Sequence, residues 1–244
     1  MNASAFVHRA AIAALILISS LSPRSAIQAA EPAWPPFLPR SVDSASEKAV
    51  ERIWNKRTFE RRLNPNPVDV PIDLYAALIS TPEVVAAAAN RLGLTSSTVT
   101  VVDDRTYEWR TAEGSRALYR ILLSEPRHQV TLFQGHLIMY GLTVHGSMLG
   151  NLDLSNDSTG VHQDLSVYVQ VDRSIMAWLT KLFVALIPGK IDAEVSHGFE
   201  FTGAVARWAW RDREGFCRWR QTSAFAPERT ARIAELVGCA TVVH

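Results

Sequence analysis

Several short signatures that announce catalysis are missing from this 244-residue chain. It has no Gly-x-Ser-x-Gly nucleophile turn, no His-x-x-x-His spacing and no glycine-rich phosphate loop. Gly135, Gly141, Gly146 and Gly150 are instead spread along alternating apolar segments, where glycine marks bulges or curvature. Charge of one sign is also missing. With 25 Lys+Arg against 24 Asp+Glu, the chain lacks the cationic excess from which bulk nucleic-acid binding draws its affinity. Cysteine is scarce, at two residues, and the apolar run Ala10–Leu21 has 12 residues. That is short of the roughly 20 a helix needs to cross a bilayer.

What is present at the start of the chain reads as an export signal. A basic, acid-free opening with Arg9 precedes the apolar run, and a small-residue stretch ends at Ile27-Gln28-Ala29-Ala30. Residues 1–30 hold Arg9 and Arg24 and no acid, so cleavage there would leave 23 basic against 24 acidic residues, a net charge of −1. An uncleaved segment would act as a tether instead. The expected localisation is periplasmic or secreted. In such a compartment Cys217 and Cys239 read as a disulfide. Closing a loop of this length would stabilise by about 3 kcal/mol in the chain-entropy model.

Residues 31–45 read as a Pro-rich spacer, extended through Glu31–Pro39 (EPAWPPFLP), and 46–244 as a single α+β domain with its core at 70–210. The spacing of Val50, Ile53 and Trp54 predicts a helix over Ser46–Leu63, ended by Asn64-Pro-Asn-Pro67. Leu74–Ile79 is a short strand or a helical turn. Thr81–Gly93 has helix grammar throughout: Thr81 as cap, Pro82 at the first position, Glu83 at the positive end, Gly93 as stop. The run Ala86–Ala89 permits close packing.

From Val99 to Val171 the period changes from 3.6 to 2. Strands are expected at Val99–Val102, Thr106–Thr111, Arg116–Leu123, Gln129–Tyr140, Leu142–Leu149 and Val161–Val171. The connections are too short for crossover helices, so the sheet should be antiparallel. In the last strand Leu165, Val167, Val169 and Val171 point to a core, and His162, Asp164, Ser166, Tyr168 and Gln170 to solvent. An apolar helix over Ser174–Ile187 should break or kink at Pro188-Gly189 and resume over Ile191–Trp210. Phe216–Trp219 reads as strand or loop, and Pro227–Val237 as a short helix. The fold class is thus α+β: a curved antiparallel sheet of about six strands packed on a long C-terminal helix, with an N-terminal helix and a disulfide-closed tail.

This order of elements, with the helix start Thr81-Pro82-Glu83-Val84-Val85 ahead of the sheet, resembles the START and Bet v 1-like (helix-grip) superfamily over Val70–Trp210. The resemblance implies a hydrophobic small molecule or lipid held between sheet and helix. On that reading Trp178, Leu182, Phe183, Ile191, Val195 and Phe199 would line the ligand site, with no cofactor and no metal. Polar chemistry offers one competing set. His162 and Asp164 lie two apart on one strand face, and His145 could join them as base or ligand in an exported enzyme on the same scaffold. A third alternative is an envelope structural protein. The segment Arg207–Arg220 interleaves Trp with Arg, and Trp208, Trp210, Arg211, Arg218 and Trp219 suit a peripheral membrane contact or a protein partner as well as core Trp with surface Arg.

Overall fold

The computed structural model describes residues 34–139, 141–171 and 183–239; for residues 139 and 183–194 it describes the backbone alone. The export signal, Trp178 and Leu182 lie outside the described residues. Seven strands form one antiparallel, curved sheet. They are β1 (Phe59–Leu63), β2 (Thr98–Val101), β3 (Thr106–Arg110), β4 (Arg116–Ser124), β5 (His128–Met139), β6 (Leu142–Asp157) and β7 (Gly160–Val171), in the order β1-β7-β6-β5-β4-β3-β2. Among the described residues the helices are α1 (Ser44–Lys56), α2 (Ile72–Ile79), α3 (Pro82–Arg91), α4 (Phe183–Arg211), α5 (Arg213–Thr222) and α6 (Pro227–Val237).

The expected sheet is there, with one strand more. Phe59–Leu63 does not continue the first helix; α1 stops at Lys56 and the next residues pair with β7, Phe59 opposite Val169 and Leu63 opposite Leu165. Their exposure alternates with period 2, and the pairing covers what would otherwise be an open edge of β7. β6 runs past the expected end at Leu149, because Gly150 is held on both sides, by Thr131 and by Val167.

Register assigns the two faces. The inner face carries Thr131, Phe133 and Leu137 opposite Gly150, Met148 and Val144, and beyond them Leu165, Val167, Val169 and Val171. It packs on α2, α3 and α4 in the main core. The outer face is not simply wet. Val50 and Ile53 of α1 pack on Leu132, Leu149 and Tyr168. Nor does the Pro-rich segment run extended: Leu38 N–H donates to Pro35 at 3.2 Å, Leu38 is buried, and Phe37 stacks on Tyr168 at 5.6 Å. Asp43 caps α1, accepting from the backbone of Ala45 and Ser46 at 3.1 and 3.0 Å. The Ser46 hydroxyl and then its backbone N–H hold the Asp43 carboxyl below the usual carboxylate range.

α2 and α3 meet at a 99° corner. Pro82 opens α3 as expected, but Thr81 does not cap it. Its hydroxyl donates back to Ala77 at 2.9 Å, because the two helices abut and the last carbonyls of α2 claim it. The α2 side chain Tyr75 ties this corner to the sheet, its hydroxyl donating to buried Gln163 at 2.5 Å.

Pro188-Gly189, where a break or kink was expected, does not break α4, which runs through it. Proline removes a single amide donor, and the backbone hydrogen bonds of the turns on either side continue the ladder. Phe216–Trp219, expected as strand or loop, lies within α5. Asp212 caps that helix, accepting from Gly215 at 3.0 Å, and Glu214 and Arg220 complement its dipole at opposite ends. Cys217 on α5 and Cys239 just beyond α6 form the expected disulfide, with Cα atoms 5.5 Å apart. Cys217→Ser with Cys239→Ser is expected to lower the unfolding free energy by about 2–3 kcal/mol in urea denaturation.

Candidate ligand cavity

Between the inner face of the sheet and the α2, α3 and α4 helices lies a cavity of about 400 Å³. Strand alternation builds its floor. β7 contributes Leu165, Val167, Val169 and Val171, Met148 comes from the neighbouring β6, and Phe133 from β5 beyond it. The roof is Leu78 and Ile79 of α2 with Val85, Ala86 and Ala89 of α3, where the small alanines leave space under the helix. Val195, Phe199 and Thr202, at helical spacing, close the α4 side.

Of the ligand-site residues expected from the sequence, Val195 and Phe199 line this cavity. Phe183 and Ile191 lie on α4 where only the backbone is described. The sequence reading did not include the α2–α3 roof or the wall made by Trp109, Tyr119 and Gln129. The four-alanine run was the available signal for the roof.

One corner of the cavity is polar. Tyr119, Gln129 and Thr131 are each buried, and Gln129 Nε2 donates to the Tyr119 hydroxyl at 2.9 Å. Tyr119 is fixed by stacking on Phe133 at 4.6 Å and by Tyr107 at 5.7 Å. Burial, reinforced by Tyr107, pushes the Tyr119 phenol far up, so it stays a neutral O–H. Behind it a second group is buried. Glu83 of α3 accepts from Arg229 Nε of α6 at 2.9 Å, and Arg229 Nη2 donates to the Tyr107 hydroxyl at 2.7 Å.

The histidine candidates do not gather at one place. His162 and Asp164 do share one strand face, but it is the outer one, away from the cavity. His162 Nε2 lies 3.0 Å from Asp157, and hydrogen bonds from Thr159 and then His162 hold the Asp157 carboxyl well below its usual range. Asp164 faces Arg62 at 3.9 Å. His145 alternates with inward-facing Val144 and lies opposite His136, ring centroids 5.3 Å apart, and both histidines border one end of the cavity. Ser155 opposes His162, and His145 lies ten positions along β6 from it, about 33 Å of strand. The structure therefore does not bring the three together. Among the described residues no three His, Cys, Asp or Glu side chains group as a metal site.

In the Trp/Arg segment, Trp208, Phe216, Trp219 and Phe225 form an aromatic cluster beside the disulfide, with centroids 5.3–5.9 Å apart. Arg213 stacks on Trp210 at 3.9 Å, while Arg211 faces Asp69 and Arg218 faces Glu214, each at 3.4 Å.

No family model matches the chain, and no curated protein matches it. Solved structures do share its shape in part. Ara h 8.0201 is 11% identical, with a TM-score of 0.43 over 60% of this chain and 97% of its own. The di-domain ARO/CYC StfQ from the steffimycin biosynthetic pathway is 11% identical, with a TM-score of 0.45 over 69% of this chain and 56% of its own. Truncated norcoclaurine synthase from Thalictrum flavum is 12% identical, with a TM-score of 0.39 over 59% and 89%. The helix-grip description of this chain rests on its own sheet order and helix placement.

Proposed function

We propose that this chain is an exported, non-enzymatic domain that encloses a hydrophobic small molecule or lipid between its sheet and α4. The cavity of about 400 Å³ and its largely apolar lining carry the proposal. Ligand sites run from about 300 to 1,000 Å³ and are lined mainly by apolar side chains with a few placed polar groups. The Cys217–Cys239 disulfide supports an oxidising compartment. A peripheral membrane contact would fall to Trp210, Arg211 and Arg218, since Trp208 and Trp219 are engaged in the aromatic cluster.

Native mass spectrometry with organic extraction, on full-length protein purified from its own compartment, tests the proposal. A co-purifying apolar molecule at near one per chain is the expected result. Stoichiometric metal, or a protein that carries nothing and takes up no apolar probe, would overturn it.

A further inference from the structure

Among the described residues lining the cavity there is no Lys, Arg, Asp or Glu, and its two histidines, His136 and His145, lie at the far end from Gln129, seven residues along β5. A carboxylate or ammonium carried to the Tyr119–Gln129 corner would lose its hydration and find no counter-charge in the lining there, at a cost of several kcal/mol. The polar side chains that converge at one corner are neutral ones, and their hydrogen bonds do not balance. Gln129 Nε2 donates to the Tyr119 hydroxyl, and Gln129 Oε1 lies 3.5 Å from the Ser80 hydroxyl, which also donates to Ala76 at 3.0 Å. In this arrangement the Tyr119 proton and one Gln129 N–H have no acceptor among the described residues. Turning the amide over would spend the tyrosine proton on Gln129 and still leave one N–H over. Tyr119 is 9% exposed and Gln129 6%, so water does not readily absorb the surplus. A buried donor without an acceptor costs about 1–3 kcal/mol.

The cavity is also long. Gln129 and Leu137 both line it, eight residues apart on β5, about 26 Å of strand. We propose that it takes an uncharged, elongated apolar molecule bearing one hydrogen-bond-accepting oxygen, a ketone or an ester carbonyl, and that Tyr119 and Gln129 bind that oxygen. This rests on the carrier reading above and adds to it the class of head group and the end at which it sits.

Displacement of N-phenyl-1-naphthylamine from the full chain tests the assignment with three competitors of one chain length: methyl hexadecanoate, hexadecane and hexadecanoate at pH 8. The ester should compete about threefold to tenfold better than the alkane, and the carboxylate should be the weakest. In the double variant Tyr119→Phe/Gln129→Met the ester should lose its advantage while the probe and the alkane bind as before, which also reports an intact cavity. Equal ester and alkane in the natural chain, a preference for the carboxylate, or an ester advantage that survives in the double variant would each overturn the head-group assignment and leave the carrier reading standing. Failure of the natural chain to bind the probe at all would overturn both.

Discussion

Arg229→Ala is expected to lower the unfolding free energy by about 3–5 kcal/mol and the melting temperature by roughly 10 °C. Glu83 is 4% exposed, and one of its carboxylate oxygens already has no partner among the described residues. The other is held by the Arg229 guanidinium, which also donates to Tyr107. Removing the guanidinium leaves a carboxylate buried and uncompensated, a far larger loss than deleting a surface ion pair. The Arg62–Asp164 pair on the outer face is such a surface pair. Replacing both partners by apolar side chains, Glu83→Leu with Arg229→Met, should recover most of the loss. Urea denaturation of the three proteins decides between causes. A double variant no more stable than the single one would mean that lost packing of α6, not the orphaned charge, is responsible. The consequence reaches the cavity, because the Tyr107 ring packs tilted against Tyr119 at its polar corner.

How far the sequence discloses this arrangement depends on how local each feature is. Alternation along Val161–Val171 separates Leu165, Val167, Val169 and Val171 from His162, Asp164 and Tyr168, and that separation holds in the sheet. Alternation cannot say what covers the second face. Tyr168 is buried by Phe37 and Trp54, which approach from more than a hundred residues earlier in the chain. β1 is hidden for the same reason. Five residues, Phe59–Leu63, are too few to show a clear period, and their partner β7 is remote in sequence.

The site divides along the same line. Val195 and Phe199 follow from helical spacing on one element. The Tyr119–Gln129 corner depends on β4 lying beside β5 with a register shift between Ile121 and Leu123, and no spacing within either strand encodes that. His162 and Asp164 show the converse. Their two-residue spacing places them together, yet the helices, not the strand, decide that the cavity lies on the other side.

Gly135→Ala is expected to cost more than about 3 kcal/mol, while Gly150→Ala, also on the cavity floor, should cost about 1 kcal/mol. The difference lies in what a methyl group would meet. At Gly135 a Cβ would fall 2.1 Å from the Arg116 carbonyl oxygen and 2.6 Å from the Ala117 Cα, so the backbone of β4 crosses the space a side chain needs. At Gly150 the first obstacle is the Thr131 hydroxyl at 2.9 Å, a side chain that can rotate aside. Gly135 sits opposite Gly146 in the β5–β6 register, and there too a Cβ would press on backbone, 2.9 Å from the Gln170 carbonyl. Two glycines facing each other let four neighbouring strands, β4 to β7, crowd on the inner side, which is how a sheet bends around a cavity. Relief of the Gly135→Ala clash requires β4 and β5 to separate, so apolar-probe affinity should fall along with stability. Gly150→Ala should leave affinity within about threefold if the Thr131 side chain gives way. If the two variants proved equally stable in urea and equally able to bind the probe, the close approach of β4 to Gly135 would not be what sets the bend, and the cavity's shape would have to be attributed to the helices above it.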